Sequence, residues 1–351
     1  TVGKLSIISM KGCEEFTAKI DWYLRQMREA EGVETYVTHV TCPRFGTGEG
    51  KGVIDETVRG HDVYIICDCF NYGVTYKMYG VENHMSPDDH YQDLKRIIAA
   101  MGGKARRVTV VMPMLYEGRQ HRRSGRESLD AALMLQELSA MGVKNVITFD
   151  AHDPRVQNAI PQNGFENVQP VYQMIKAMCK NIPDLNIDNN HMMVISPDEG
   201  GTGRAIYLAN VLGLDLGMFY KRRDYTRIVN GRNPIVAHEY LGESVEGKTV
   251  FIADDIIASG ESMLEVAREL KKRGAKHIIA NATFPLFTSG LKKFDEAVAD
   301  GTLTAVLGTN LTYRKPELLE RDWYFDVDCS KYCAYFVAAI NHEMSVSSIC
   351  D

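Results

Sequence analysis

The chain alternates short, almost continuously apolar runs with longer segments of helical periodicity. Between the runs, apolar residues recur at spacings of three and four, as in Leu264, Ala267 and Leu270. Alternating strands and helices predict parallel sheets with helices on both faces, and solid apolar strands fit burial on both sides. We therefore expect an α/β fold of doubly wound parallel sheets. The predicted strands are Leu5–Ser9, Val63–Cys67, Val108–Met112, Val146–Phe149, Met192–Ser196, Leu214–Tyr220, Val250–Ala253 and His277–Thr283.

The length of the chain predicts two domains. At about 150 residues per domain, 351 residues correspond to roughly two. An irregular stretch rich in Pro, Asn and Gln, residues 153–169, separates two blocks of similar size. We accordingly place an N-terminal domain at residues 1–160 and a C-terminal domain at residues 161–351. A C-terminal helix is predicted at about residues 330–351, where it can pack back on the N-terminal domain.

Charge and cysteine content narrow the functional classes. Forty Lys and Arg residues against 46 Asp and Glu give a net charge of −6, which argues against a general nucleic-acid binder. The eight cysteines contain no C-x-x-C pair, as expected of reduced thiols in a cytosol. The first residues lack a secretory signal pattern, and no apolar stretch approaches the ~20 residues that span a bilayer. We expect a cytoplasmic protein that binds neither nucleic acid nor membrane.

One loop combines adjacent carboxylates with a predicted anion site. Asp254 and Asp255 end an apolar strand, residues 259–262 (Ser-Gly-Glu-Ser) follow, and an amphipathic helix begins. Backbone N–H groups at such a helix start bind anions, and the two carboxylates can accept hydrogen bonds from vicinal sugar hydroxyls. Together they favour a phosphorylated pentose as ligand. A simple helix cap with an acidic first turn is the alternative.

Five further segments place polar residues after predicted strands or in loops. An Arg guanidinium binds phosphate oxygens in pairs, and adjacent glycines allow a ligand to approach the backbone. Each segment alone also fits a surface turn, a structural histidine or a solvated basic face. The segments are Arg44-Phe45-Gly46-Thr47-Gly48-Glu49, Arg119-Gln120, Asp150-Ala151-His152, Asp198 with Gly200-Gly201, and Lys221-Arg222-Arg223.

The loop at residues 258–262 resembles the ribose-5-phosphate loop shared by ribose-phosphate pyrophosphokinases and type I phosphoribosyltransferases. Those families usually carry Thr-Gly-Gly-Thr at residues 259–262, and the pyrophosphokinases carry an acidic residue at the position of Ala258. A carboxylate inside a phosphate site would repel the anion. We therefore expect the Glu261 side chain to point away from a bound phosphate while its backbone N–H donates to that phosphate. The resemblance implies a ribose-5-phosphate site formed by Arg223, Asp254, Asp255, Ala258, Ser259, Gly260, Glu261 and Ser262.

The remaining segments resemble those of the pyrophosphokinases. The resemblance implies that Phe45 packs on adenine and that Lys221 and Arg223 are catalytic, on a mobile loop that runs to about Tyr240. It also implies Mg²⁺ as cofactor, with His152 and Asp198 as metal-linked positions. Thr47 stands where the family has an acidic residue. The implied ATP site consists of Phe45, Thr47, Gly48, Glu49, Arg119, Gln120 and His152.

The resemblance implies two domains of type I phosphoribosyltransferase-like topology in a homo-oligomer. The implied reaction transfers the diphosphoryl group of Mg-ATP to ribose 5-phosphate. A type I phosphoribosyltransferase and a regulatory homologue without turnover are the alternatives, and Thr47, Ala258 and Glu261 keep the second one open. Residues 70–89 form an insertion without a counterpart in the family. Its aromatic residues fit a subunit interface and packing on their own domain equally well.

Overall fold

The computed structural model describes residues 1–350, which form two units. The first unit comprises residues 1–170, 310–313 and those from Asp328 onwards, and the second comprises residues 171–309 and 314–327. The division falls at Pro170, beyond the position of the predicted boundary at residue 160. Asp351, the last residue of the predicted C-terminal domain, lies outside the described residues.

Sixteen strands and ten helices occur among residues 1–350. The strands are β1 (Lys4–Ser9), β2 (Val40–Thr41), β3 (Val53–Ile54), β4 (His61–Ile66), β5 (Thr75–Met78), β6 (Val81–His84), β7 (Arg107–Val111), β8 (Val143–Phe149), β9 (Gly164–Val168), β10 (Met192–Ser196), β11 (Leu216–Arg223), β12 (Ile235–Leu241), β13 (Thr249–Ile257), β14 (His277–Pro285), β15 (Ala305–Thr309) and β16 (Tyr324–Val327). The helices are α1 (Glu14–Met27), α2 (Pro87–Ala100), α3 (Asp130–Ala140), α4 (Val171–Asn181), α5 (Thr202–Leu212), α6 (Glu261–Lys272), α7 (Lys292–Ala299), α8 (Pro316–Leu319), α9 (Ser330–Asn341) and α10 (Ser347–Cys350).

The first unit contains a parallel sheet in the order β1-β4-β7-β8-β9. Residues 36–38 lie beside β1, where the Ile7 N–H donates to the Tyr36 carbonyl (2.8 Å) and the Thr38 N–H donates to the Ile7 carbonyl (2.8 Å). The chain thus leaves β1 first to one side and then to the other. Because such crossovers are right-handed, α1 lies on one face and α2 and α3 on the opposite face. This arrangement confirms the doubly wound fold.

The second unit contains a seven-stranded sheet in the order β12-β11-β10-β13-β14-β15-β16. Strand β12 runs antiparallel to β11, and the other neighbours are parallel. From β10 the chain proceeds towards β12, and from β13 it proceeds the other way to β16. The order therefore reverses between β10 and β13. In doubly wound sheets, ligands bind beyond the carboxyl ends of the strands at such a reversal.

The apolar runs predicted from the sequence form the central strands of both sheets, where their side chains are removed from water. Ile65 and Val110 in the first sheet and Ile252 in the second are fully buried. In α6 the predicted helical spacing holds, since Leu264, Ala267 and Leu270 all lie in the core. Removing each such side chain from water stabilises the fold by roughly 1.5–3 kcal/mol for a Leu or Ile. The core thus fixes the strand ends that carry the candidate site.

Three sequence predictions need correction. The strand predicted to end at Ala253 continues to Ile257, so Asp254 and Asp255 belong to β13 and do not follow it. The polar stretch from Tyr220 to Tyr240, predicted as a loop, contains β11 and β12, whose half-buried hairpin needs few apolar residues. The irregular stretch at 153–169 contains a 3₁₀ segment and β9, an edge strand of mixed polarity.

The C-terminal helix α9 packs within the first unit. Its last residue, Asn341, is fully buried and donates through Nδ2 to Asp62 (2.9 Å) and to the Gly3 carbonyl (3.2 Å). Among the described residues, no helix has both the length and the apolar character needed to cross a bilayer. The cytoplasmic location stays a prediction.

Candidate active site

Three adjacent strands of the second sheet carry predicted site residues to one edge. Strand β10 ends two residues before Asp198, β13 leads into residues 258–260, and β11 ends at Arg223. Because β11, β10 and β13 are parallel neighbours, their carboxyl ends meet at the same edge. This edge includes the point where the strand order reverses, the usual ligand position in such sheets.

The two acidic residues of β13 place adjacent carboxyl groups at this edge. The Asp255 N–H donates to Asp254 Oδ1 (2.8 Å), and Asp255 Oδ2 lies 3.7 Å from Arg204 Nη2 of α5. Burial, followed by the charge of Asp255 and with a smaller contribution from Asp198, raises the pKa of Asp254 well above its ordinary value. Such carboxyl groups accept hydrogen bonds from hydroxyls, and a nearby cation stabilises their ionised form.

The turn after β13 requires glycine at residue 260. Gly260 has a φ of 79°, and a Cβ there would lie 2.3 Å from Cε2 of Phe294. Helix α6 begins at the next residue, so Glu261 and Ser262 form its first turn and are exposed, as is Ser259. The first N–H groups of a helix lack partners within it and point along its axis. They offer a bound phosphate several donors.

The side chain of Glu261 is engaged outside the turn. Its carboxylate lies 3.1 Å from Nζ of Lys293 on α7, and both side chains are exposed. The Glu261 N–H meets Ser259 Oγ at 3.4 Å. The negative charge that the sequence places in an anion site is thus compensated by a lysine from another element.

The donor set at this edge suits a hard divalent cation. Asp198 Oδ1 accepts the Gly201 N–H (2.8 Å), which orients the carboxylate, and Asp198 interacts electrostatically with Asp254. Among the side chains of residues 1–349, no group of three or more His, Cys, Asp or Glu is arranged to hold a metal ion. Mg²⁺ typically uses one or two carboxylates and completes its shell with water and substrate phosphates. Asp198 together with its neighbour Asp254 has the carboxyl oxygens that this pattern requires.

The predicted catalytic cations lie on the β11–β12 hairpin. Lys221 and Arg222 are paired with His238 and Ala237 of β12. Arg223 is exposed and donates through Nη1 to the Asn233 carbonyl (3.1 Å), while Arg222 lies 3.3 Å from Glu239. The pairing of β11 with β12 shifts register between Arg222 and Arg223, so the regular alternation of the hairpin is interrupted next to these cations.

A contact to α6 places the β11–β12 hairpin beside the helix that follows the candidate anion-binding turn. His238 Nε2 lies 3.3 Å from Glu265 Oε2 in the second turn of that helix. His238 is paired with Lys221 across the hairpin, so Lys221 lies near α6. The first N–H groups of that helix are the candidate phosphate donors.

In the first unit, the segment from Phe45 to Glu49 forms a tight turn. The Gly48 N–H donates to the Phe45 carbonyl (2.8 Å), and the Phe45 N–H donates to the Glu49 carbonyl (2.7 Å). Thr47 Oγ1 donates to Glu49 Oε1 (3.0 Å), so the residue that replaces an acidic one is used within the turn. The Phe45 ring is 58% exposed. An exposed aromatic ring on an ordered turn can stack against a nucleobase.

The loop after β7 contains the predicted triphosphate ligands. Gln120 Nε2 donates to the Ser128 carbonyl (2.7 Å), and Arg119 is exposed. His121 has its ring 5.4 Å from that of His152 and its Nε2 3.3 Å from Asp153. The loop and the end of β8 therefore lie together.

Four residues next to the predicted site residues were not predicted from the sequence. His121 directly follows the Arg-Gln pair, and Asp153 directly follows His152, so adjacency alone was a usable signal. Arg204 lies in the first turn of α5, after the glycine pair. Lys293 had no local signal, because its contact with Glu261 spans 32 residues.

These features define a class of protein. The second unit combines a doubly wound sheet with an acidic strand end and a candidate anion-binding turn, which the sequence analysis associates with phosphoribosyltransferase-type domains. Residues 5–142 match the family model of the N-terminal domain of ribose phosphate pyrophosphokinase, and residues 162–298 match that of the phosphoribosyl transferase domain. The chain belongs to the ribose-phosphate pyrophosphokinase family.

Individual relatives agree with this assignment. The chain is 31% identical to a ribose-phosphate pyrophosphokinase of Ralstonia nicotianae over 79% of its own length and 81% of the relative. It is 29% identical to that of Vibrio cholerae over 88% of its length and 90% of the relative. Its fold matches the crystal structure of phosphoribosylpyrophosphate synthetase from Mycobacterium smegmatis with a TM-score of 0.76, at 21% identity, covering 97% of this chain and 99% of that one.

Proposed function

We propose that this protein transfers the diphosphoryl group of Mg-ATP to O1 of ribose 5-phosphate, giving 5-phosphoribosyl 1-diphosphate and AMP. The observation that carries the proposal is the gathering, at one carboxyl edge of the second sheet, of an acidic pair, an anion-binding turn and two cations on a hairpin. Membership of the pyrophosphokinase family supports the same reaction.

The sugar phosphate binds along β13 and the turn that follows it. Its 5-phosphate accepts hydrogen bonds from the first N–H groups of α6 and from the hydroxyls of Ser259 and Ser262. Its vicinal hydroxyls donate to Asp254 and Asp255. Ala258 and Gly260 shape the turn and bring no charge to it, so the phosphate is held mainly by the backbone.

The nucleotide binds through the two loops of the first unit. Arg119 and Gln120 hold the triphosphate, since a guanidinium donates in pairs and an amide both donates and accepts. His152 contacts the Mg-nucleotide. The Phe45 ring stacks on the base, and Gly48 and Glu49 complete the turn that presents it.

The chemistry is a single displacement. The anomeric hydroxyl of ribose 5-phosphate attacks the β-phosphorus, the bond from that phosphorus to the α-phosphate oxygen breaks, and the hydroxyl proton passes to solvent. Phosphoryl transfer depends mainly on positioning and on neutralising the charge of the transferred group. Lys221 and Arg223 supply that neutralisation. Asp198 would help to hold Mg²⁺, which would screen the charge of the phosphate oxygens when bound.

The test is phosphorus NMR of the protein with ATP, Mg²⁺ and ribose 5-phosphate. AMP together with a new sugar diphosphate is the expected result. ADP would mean that a single phosphate moved, which overturns the proposal. Binding of ATP without turnover would identify a non-catalytic homologue, and pyrophosphorolysis with free bases would identify a phosphoribosyltransferase.

A further inference from the structure

The insertion at residues 70–89 forms a β-hairpin. Strands β5 and β6 pair from Thr75 with His84 to Met78 with Val81, and the two connecting residues, Tyr79 and Gly80, both have positive φ. Two-residue turns of this kind match the twist of a hairpin. The hairpin leads directly into α2 through a capping box of Ser86 and Asp89. It is therefore an ordered element attached to the sheet's helical layer.

One end of the hairpin packs on the Phe45–Glu49 turn. The Tyr79 N–H donates to the Gly46 carbonyl (2.8 Å). On Gly48, whose φ is 95°, a Cβ would lie 2.9 Å from Met78 Sδ and 3.5 Å from the Tyr76 ring. The backbone of the turn is thus in close contact with β5.

Arg44 connects the hairpin, the turn and α2. Its guanidinium lies 4.8 Å from the centre of the Tyr76 ring, a cation–π geometry. It also pairs with Asp93 of α2 (2.8 Å) and donates to the Gly48 carbonyl (3.3 Å). The Arg44 and Asp93 side chains are only 10% and 6% exposed, so these contacts are shielded from solvent. The Arg44 side chain is therefore in contact with β5, with α2 and with the Phe45–Glu49 turn, and it stabilises that turn through the Gly48 carbonyl.

We propose that the hairpin is a positioning element for the nucleotide base, and that Tyr76 acts through Arg44 to hold the Phe45 turn in its binding conformation. This inference rests on the proposed function. Without the hairpin, the turn would need to be ordered when ATP binds, and that cost would appear as weaker nucleotide binding. With the hairpin, Phe45 is presented on a turn that is already formed.

The test compares steady-state kinetics of Tyr76→Ala with the unmodified protein. Loss of the shielded cation–π contact should raise KM for ATP roughly fivefold to tenfold. We expect kcat and KM for ribose 5-phosphate to stay within twofold. Tyr76→Phe keeps the ring and should restore KM. Tyr72→Ala is the matched control, because Tyr72 is an aromatic of the same insertion that stacks on His84 (ring centres 4.0 Å apart).

A double-substitution cycle separates positioning from general destabilisation. If Tyr76 acts through the turn, Phe45→Ala should raise KM for ATP less in the Tyr76→Ala background than in the unmodified protein. Independent effects, or an unchanged KM in Tyr76→Ala, would overturn the inference while the unmodified protein still makes AMP. Failure of the unmodified protein to make AMP would instead overturn the proposed function.

Discussion

Lys221 and Arg222 are adjacent cations with different surroundings. Lys221 is half-buried, whereas Arg222 is exposed and pairs with Glu239. In the proposed reaction, Lys221→Ala should lower turnover by about 10²–10³-fold, because it would remove the charge assigned to neutralising the transferred group. KM for ribose 5-phosphate should barely change. Arg222→Ala is the control and should keep its turnover; equal losses in the two variants would remove Lys221 from its assigned role.

Asp254 makes the stability of the protein depend on pH. Burial and the neighbouring Asp255 raise its pKa, so the folded state disfavours the anion. The resulting penalty is absent below the ordinary Asp pKa, where the group is neutral folded and unfolded, and it grows as pH rises towards the folded-state pKa. Asp254→Asn should therefore raise the melting temperature at pH 8 more than at pH 5.

Scanning calorimetry at the two pH values checks this prediction. A gain of about 2–4 °C corresponds to roughly 1 kcal/mol for domains of 150–250 residues. Asp322→Asn makes the same change of charge at an exposed position of the same unit and should give little gain at either pH. A pH-independent effect of Asp254→Asn would mean that its ionisation does not matter for folding.

At the level of single elements, the turn between β13 and α6 combines a strained backbone with a close contact. Gly260 and Gly301 have nearly equal φ values, 79° and 81°, but a Cβ at Gly301 would meet nothing within 4 Å. Gly301→Ala should thus cost only the left-handed penalty, about 1–2 kcal/mol. Gly260→Ala adds the clash with Phe294 and should cost more.

Urea unfolding measures the two free energies. Because the clash displaces the start of α6, Gly260→Ala should also raise KM for ribose 5-phosphate, whereas Gly301→Ala should not. Equal losses of stability would show that Phe294 moves aside freely.

The same element scale explains what the sequence could predict. Central strands such as β4 and β10 are buried on both faces, and this produces continuous apolar runs that are easy to identify. The edge strand β9 and the hairpin strand β12 are half-buried and mixed in polarity, so they were missed. The β5–β6 turn uses Tyr79 at positive φ, a position where Asn, Asp or Gly is the usual signal.

The candidate site shows the same limit. Its loops were predictable because each motif is contiguous in sequence. Contacts such as Glu261 with Lys293, or Arg44 with Tyr76, join residues about 30 positions apart and are created by the fold. Local patterns cannot specify them.

At the scale of the whole chain, residues from the N-terminal third and from the C-terminal end of the sequence meet in one buried polar network. Asp62 is fully buried and accepts two hydrogen bonds from Arg107 (2.8 and 2.9 Å) and one from Asn341 Nδ2 (2.9 Å). Arg107 also donates to the Ile340 carbonyl (2.8 Å), and the Val2 N–H donates to the Asn341 carbonyl (2.9 Å). The first unit is therefore completed by α9, which follows the whole second unit in the chain.

This network predicts a large cost for removing one partner. Arg107→Ala leaves the Asp62 carboxylate buried without its counter-charge, a change that typically costs about 3–5 kcal/mol. Asp62→Asn in the same background keeps an oxygen acceptor but removes the charge, so the double variant should be more stable than Arg107→Ala alone. Chemical denaturation of the full chain measures both. If the double variant is the less stable one, hydrogen bonds of the carboxylate outweigh its charge, and α9 is held to the first sheet by geometry more than by ion pairing.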